Sequence, residues 1–322
     1  DFVAKLRGSI VLVGALLART GRATMPYPGG DLIGSRPIAV HLDAFRSLGA
    51  SVREGNILTV AARRGLQASR IVLAEPSVTG TENALLAAAG AAGTTEIRLA
   101  AMEPHVQALA SVLNRMGARV EGIGTPFLRI RGSRSLRGFA YRLEPDELEV
   151  SAFALLAAAT RSRLSIGPIL PDRLDSVLGA LSAMGVRYTI ERNALRILAR
   201  RGPFRAANLQ VGPYPKLGSD HLPPFAVLAT QAEGATVLHE WMYEGRLRYI
   251  EELQRMGANA LVLDPHRAMV VGPTPLSGRE ITSFDIRSGM VLVIAALVAQ
   301  GTSTINSIEH LDRGYEQLDE RL

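Results

Sequence analysis

Residues 105–118 read HVQALASVLNRMGA. The stretch is an amphipathic helix with Gly117 just past its last turn, where glycine takes the left-handed backbone that ends a helix. The same ending recurs at Leu48-Gly49-Ala50, Met184-Gly185-Val186 and Met256-Gly257-Ala258, and the steps between successive glycines are 68, 68 and 72 residues. Two strand-like pieces follow each time, such as 118–123 (ARVEGI) then 127–132 (FLRIRG), or 258–263 (ANALVL) then 268–273 (AMVVGP).

A second helix precedes each of these at the same period: SIVLVGALLAR (9–19), TENALLAAAGAA (81–92), SAFALLAAATR (151–161), PPFAVLATQA (223–232) and SGMVLVIAALVAQ (288–300). These are apolar nearly all round, which predicts burial on most sides. A turn residue (Gly21, Gly93, Ser162, Gly234, Gly301) and a strand follow each. The unit is helix, strand, helix, strand, strand, about 70 residues long, present five times, the fifth closing on a second helix that ends at Leu322. Such a unit buries its helices by packing copies side by side with sheets outside.

The composition bounds the function. The 322 residues, 47% hydrophobic and 20% charged, suffice for two domains with real cores. The excess of 36 Lys+Arg over 30 Asp+Glu is carried almost wholly by arginines dispersed along the chain, with no run beyond pairs such as Arg63-Arg64 and Arg200-Arg201. That pattern suits small anionic substrates and argues against nucleic acid. There is no cysteine, so disulfides and thiolate metal sites are excluded, and the six histidines show no ligand spacing. The longest apolar run, Met290–Ala299, is too short to span a bilayer.

One loop stands out against this frame: Pro26–His41, PYPGGDLIGSRPIAVH. Gly29, Gly30 and Gly34 permit a backbone folded over a ligand, Asp31 presents a carboxylate, and Arg36 a fork of donors for an anion. On composition alone such a loop reads first as an Asp-bearing surface turn, and what raises the functional reading is the chain built around it.

The loop, together with LRGSIVLVGALLAR, SVTGTENALLAAAGAAGTTEI, YPKLGSD, EGRLRYIEELQRMGA, FDIRSG and HLDRGYEQLDERL, resembles the enolpyruvyl transferases, specifically those acting on UDP-N-acetylglucosamine. The resemblance implies an inside-out α/β fold of two domains built from βαβαββ units, with the site in the cleft between domains that close on substrate. It implies six units where five are seen, hence a chain lacking the family's N-terminal segment and its Lys-Asn pair. The domain break falls near Leu143–Asp146, giving domains 1–144, with the Asp31 loop, and 145–322.

The implied reaction moves an enolpyruvyl group from phosphoenolpyruvate to the sugar 3-hydroxyl and releases phosphate, the first committed step of peptidoglycan synthesis in the cytoplasm. No cofactor, metal, nucleic acid, membrane or obligate protein partner is implied. Asp31 aligns with the family's cysteine acid. A carboxylic acid donates only while protonated, and neighbouring arginines favour the ionised form. Asp220 aligns with the hydroxyl base and sugar contact, although a helix N-cap before HLPPFAVLA also suits it. Arg36, Arg246 and Arg313 align with the phosphoenolpyruvate site, Arg313 among the catalytic residues. Arg7, the segment Arg36, Pro37, Ile38, Ala39, Val40 and the segment Glu75, Pro76, Ser77, Val78 align with nucleotide-sugar contacts, as does Met242, while Asp285 and Arg287 match a paired acid and base. Ala39 stands where an acid is usual and Glu75 where a base is common. Asp146 and Glu149 read as acids at a helix start. Two alternatives remain: a non-catalytic nucleotide-sugar-binding paralogue and the sibling 3-phosphoshikimate 1-carboxyvinyltransferase.

Overall fold

The computed structural model describes residues 2–31, 33–133, 135–199 and 202–322, so the Arg200-Arg201 pair lies outside the described residues. Contacts divide the chain into two compact units, the first Asp1–Gly30 with Arg36–Arg142, the second Asp31–Ser35 with Leu143–Leu322. Of the Asp31 loop, expected in the first domain, Asp31, Ile33, Gly34 and Ser35 therefore group with the second unit.

In the first unit the helices Leu12–Thr20 and Val78–Ala89 pack against each other. Their contact is made of small residues: a Cβ on Gly14 would stand 2.6 Å from the Asn83 carbonyl oxygen. Instead, the Gly14 amide donates to Asn83 Oδ1 at 2.8 Å. Helices Ala39–Ser47 and Pro104–Met116 complete the helical layer. Two sheets flank it. One is antiparallel, Arg22–Pro26, Ile57–Ala61, Ser51–Arg53 in spatial order; the other runs Arg70–Val72, Thr94–Arg98, Phe127–Arg131, Arg119–Glu121. Their strands alternate, as in Arg22–Pro26, where Ala23 and Met25 enter the core and the residues between face water.

In the second unit the helices Glu147–Ala159, Phe225–Ala229 and Ile286–Val298 pack on one another. Apolar side chains on nearly every face of them are buried, including Leu155, Phe225, Leu228, Met290 and Ile294. Short strands flank two of these helices in parallel pairs: Leu209–Gln210 with Ala232–His239, and Glu280–Thr282 with Thr304–Asn306. The helix Val78–Ala89 of the first unit has the same arrangement, with Arg70–Val72 beside Thr94–Arg98. A parallel pair around a buried helix is the βαβ element of the expected unit.

The copies depart from the sequence pattern where local chemistry differs. In PPFAVLATQA only Phe225–Ala229 is helical, since two prolines precede it and strand Ala232–His239 begins three residues later. Gly234 consequently sits inside that strand rather than in a turn. After Glu147–Ala159 the left-handed position is taken by Arg161, φ 57°, and not by the expected Ser162. The stretch HLDRGYEQLDERL forms two four-residue helices, Glu309–Asp312 and Leu318–Arg321, in place of one continuous helix, broken at Gly314. Asp146 caps Glu147–Ala159 by accepting from the Leu148 and Glu149 amides at 2.8 and 3.3 Å, as acids at a helix start favour.

Candidate active site

In the second unit, Gly218 leads into a single 3-10 turn, Ser219–His221, and this turn presents Asp220. The helix that follows, Phe225–Ala229, has no side-chain cap, so the capping role considered for Asp220 is not the one it fills. Its carboxylate lies between two guanidiniums: Arg246 Nη1 donates to Oδ1 at 2.5 Å, and Arg287 Nε to Oδ2 at 3.1 Å. Arg246 is 7% exposed and Asp220 35%, so the arginine is inside and the carboxylate reaches the surface. Burial works against charge on Asp220, but Arg246 and Arg287 outweigh it and hold the carboxyl well below its ordinary range. Burial also works against both guanidiniums, and Asp220 outweighs it, holding both above theirs.

Arg287 is fixed from several sides. Its amide donates to the Asp285 carboxylate, which caps the helix Ile286–Val298 in a reciprocal box with Ser288. Its Nη1 approaches the Tyr315 hydroxyl at 3.3 Å. The same C-terminal segment carries Arg313, which donates to Asp31. Asp31 is 18% exposed and Arg313 35%. The segment holding Asp31 is pinned on its other side: Gly245 N donates to Ile33 O at 3.0 Å, and Ser35 N to Glu244 Oε1 at 2.7 Å. Gly34 has φ +133°, open to glycine, and a Cβ there would lie 2.7 Å from the Glu244 carboxyl carbon. Met242, four residues before Arg246, is partly buried against the core.

In the first unit, Arg7 donates to the carbonyls of Arg36 and, at 3.1 Å, Pro37. Ile38 and Val40 turn into the core as the helix Ala39–Ser47 starts, so their backbone alone is left to meet a ligand. Ser77 caps the helix Val78–Ala89, accepting from Gly80 N at 3.2 Å, with Pro76 beside it and Glu75 exposed. The two segments are tied by His41, whose Nδ1 meets Asn83 Nδ2 at 2.8 Å and whose Nε2 meets Thr79 Oγ1 at 3.3 Å. Burial, with the charge of Arg7 adding, pulls His41 down to about 4, so the ring is neutral near pH 7.

The structure thus gathers Asp220, Arg246, Arg287 and Asp285 in one cluster and Asp31 with Arg313 in another. Arg7 lies on the 36–37 main chain. Among the described residues no group of His, Asp and Glu could hold a metal ion, and no helix is long and apolar enough to cross a membrane.

The family model for EPSP synthase (3-phosphoshikimate 1-carboxyvinyltransferase) matches residues 1–322. The chain belongs to the EPSP synthase family. Within that family it is 40% identical over 331 residues to a UDP-N-acetylglucosamine 1-carboxyvinyltransferase of Treponema denticola, covering 100% of this chain and 77% of the relative. It is 41% identical over 329 residues to a protein of that name from Bradyrhizobium diazoefficiens, covering 100% and 76%. Among solved structures, the enolpyruvyl transferase NikO from Streptomyces tendae superposes with TM-score 0.89 at 28% identity, over 100% of this chain and 77% of that one. An EPSP synthase from Acinetobacter baumannii, at TM-score 0.74 and 20% identity over 97% and 76%, shows the shared EPSP synthase fold.

Sequence reading missed Glu240, Glu244 and His41. His41 and Glu244 meet residues more than 35 positions away, and Glu240 reaches the Ser219 hydroxyl 21 positions away, so no local spacing marks these partners. Ser219 and Tyr315 did stand inside quoted motifs, YPKLGSD and HLDRGYE, with no role assigned.

Proposed function

We propose that the chain transfers the enolpyruvyl group of phosphoenolpyruvate to the 3-hydroxyl of UDP-N-acetylglucosamine, releasing phosphate in the first committed step of peptidoglycan synthesis. The observation that carries this reading is the 40–41% identity, over the whole chain, to proteins of that named activity. The Asp220–Arg246–Arg287 cluster supports it, because the reaction needs a hydroxyl acceptor beside fixed positive charge.

The chemistry is addition followed by elimination. The sugar oxygen bonds to C2 of phosphoenolpyruvate as C3 gains a proton; C3 then loses a proton and the C2–O bond to phosphate breaks. Asp220, kept ionised by its two arginines, is a weak base but a firm acceptor. It orients the hydroxyl and takes the proton as the forming C–O bond makes that hydroxyl acidic. Arg36, Arg246 and Arg313 supply charge to the carboxylate and phosphate of the enol substrate. Asp31 is the acid toward C3. As it stands it accepts from Arg313, so it can donate only when protonated and when the incoming anion engages Arg313 in its place. Arg7, the 36–40 backbone, the 75–78 turn and Met242 receive the nucleotide sugar.

The test is phosphate release from phosphoenolpyruvate on adding UDP-N-acetylglucosamine, with shikimate 3-phosphate as the comparison acceptor. Release with the sugar nucleotide alone is the expected result, and release with shikimate 3-phosphate alone would overturn the acceptor assignment. Asp31→Asn is expected to lose turnover by two or more orders of magnitude while calorimetric binding of the sugar nucleotide changes little; undiminished turnover removes Asp31 from the mechanism. A binding paralogue is favoured by Ala39 and Glu75 at nucleotide positions, and it predicts sugar-nucleotide binding with no phosphate release.

A further inference from the structure

Directly after the strand Ala232–His239, the carboxyl group of Glu240 is 0% exposed. Its main chain is locked to His266 in both directions: Glu240 N donates to His266 O at 2.7 Å, and Glu240 O lies 2.8 Å from His266 Nδ1. Both side-chain oxygens are hydrogen-bonded. Oε1 accepts from the amides of Met242 and Tyr243 at 3.0 and 3.3 Å, and Oε2 accepts from the Ser219 hydroxyl. Ser219 Oγ in turn accepts from Arg246 Nη1 at 2.6 Å, the same nitrogen that holds Asp220.

Burying a carboxylate is costly, and an apolar residue of similar size would serve a core better. Capping the Met242–Tyr243 turn does not account for Glu240 either, since a short Asp, Ser or Asn does that in most turns. What the longer side chain adds is the reach to Ser219. A hydroxyl has one proton. With that proton committed to Glu240, the lone pairs of Ser219 can only accept, and they face Arg246. The buried Nε of Arg246 and the hydroxyl of Tyr249 have no hydrogen-bond partner among the described residues, so Nη1, bonded to Ser219 and Asp220, orients the guanidinium beside the Tyr243 ring, whose centroid lies 5.2 Å from Cζ.

We propose that Glu240 is a positioning residue of the active site, acting through Ser219 to aim the Arg246 guanidinium at the anion of the enol substrate. This rests on the proposed function for the identity of that anion. The chain of donors runs one way, Arg246 to Ser219 to Glu240, and Asp220 shares its first donor. Glu240 also fixes the turn that carries Met242, so one buried carboxylate sets two sides of the site.

Electrostatics alone predicts the opposite sign. A carboxylate near an anion site repels the anion, so neutralising Glu240 without any positioning role should tighten phosphoenolpyruvate binding. The experiment measures KM for each substrate, kcat, direct phosphoenolpyruvate binding by calorimetry and thermal unfolding, for Ser219→Ala, Glu240→Gln and the double variant. Expected is a rise of about tenfold in the KM or Kd for phosphoenolpyruvate in each single variant, the size of one hydrogen bond to a charged group. For Ser219→Ala the KM for UDP-N-acetylglucosamine should move less than twofold. The double variant should be no worse than the weaker-binding single within about twofold, because the two residues act in series. Unchanged or tighter phosphoenolpyruvate binding in Ser219→Ala, or additive losses in the double variant, would overturn the relay. Failure of the functional reading is separate: the unsubstituted chain would then release no phosphate. The relay would still be decided by calorimetry, and an unsubstituted chain that binds no phosphoenolpyruvate would overturn it as well. Should Glu240→Gln fail to fold, Ser219→Ala decides the question, since it removes one oxygen and leaves the Met242–Tyr243 turn its carboxylate.

Discussion

At the scale of single residues, partners hold the charge of Asp220, while burial keeps His41 and His221 neutral near pH 7. Asp220 stays ionised because two guanidiniums grip it, and His41 stays neutral because it is buried among Asn83, Thr79 and the charge of Arg7. The histidine has a measurable consequence. Its folded value of about 4 lies below the ordinary 6.5, so the unfolded chain takes up the proton first as the solution is acidified. The contribution of a neutral His41 to stability is therefore intact above pH 6.5 and is lost as the pH falls from 6.5 toward 4, by roughly 2–3 kcal/mol at the lower end. His221, also pulled down to about 4 by burial, slopes in the same direction. Thermal unfolding across that window should show a steep loss in the unsubstituted chain and a shallower one in His41→Gln, which cannot take the proton. Parallel curves would mean that another group sets the acid limb.

At the scale of elements, the buried helices depend on small residues where two of them touch. Gly14→Ala puts a methyl against the Asn83 backbone, which cannot yield as a flexible side chain would, and it disturbs the hydrogen bond between Gly14 N and Asn83 Oδ1. Helix propensity would favour the alanine by about 1 kcal/mol. Overpacking costs typically 1–3 kcal/mol and should win, giving a net loss of about 1–2 kcal/mol in denaturant unfolding. A variant more stable than its parent would show that the helices can separate freely there. This is also the scale at which the sequence was most legible. Gly21, Gly49, Gly117, Gly185, Gly257 and Gly301 all have positive φ, and the period between the helix-ending glycines marked out units that the strands then completed. Legibility failed where a residue other than glycine took the left-handed turn, as Arg161 did, and where prolines shortened a helix to Phe225–Ala229. Apolar pattern records which face is buried and says little about how many turns survive. In the candidate site, the arginines and acids named from motif position are brought together in part, Asp220 with Arg246 and Arg287, and Asp31 with Arg313. Glu240 and Glu244 could not be named that way, because their role depends on Ser219 and Ser35, residues brought to them only by the fold.

At the scale of the whole molecule, two features of composition shape how the chain meets ligands and inhibitors. The first is a net charge of +6 carried mainly by arginine, whose planar fork suits carboxylates and phosphates held bidentately. The second is the absence of cysteine from all 322 residues. In the family resemblance, the position of Asp31 belongs to a thiol, and thiol-directed epoxides such as fosfomycin alkylate it. A thiolate is a strong nucleophile toward a strained ring carbon, whereas a carboxylate engaged by Arg313 is a poor one. Preincubation with fosfomycin should therefore leave phosphate release unaltered and add no mass to the protein. Asp31→Cys should reverse both outcomes, with one adduct per chain and time-dependent loss of whatever turnover that variant retains. The substitution tests position as well as chemistry, because one adduct per chain forms only if residue 31 stands beside a cation, such as Arg313, that holds the inhibitor's phosphonate. Stoichiometric labelling of the unsubstituted chain at Asp31 would contradict the argument from nucleophilicity. An Asp31→Cys variant that stays unlabelled, with its thiol titratable by a small disulfide reagent, would contradict the argument from position.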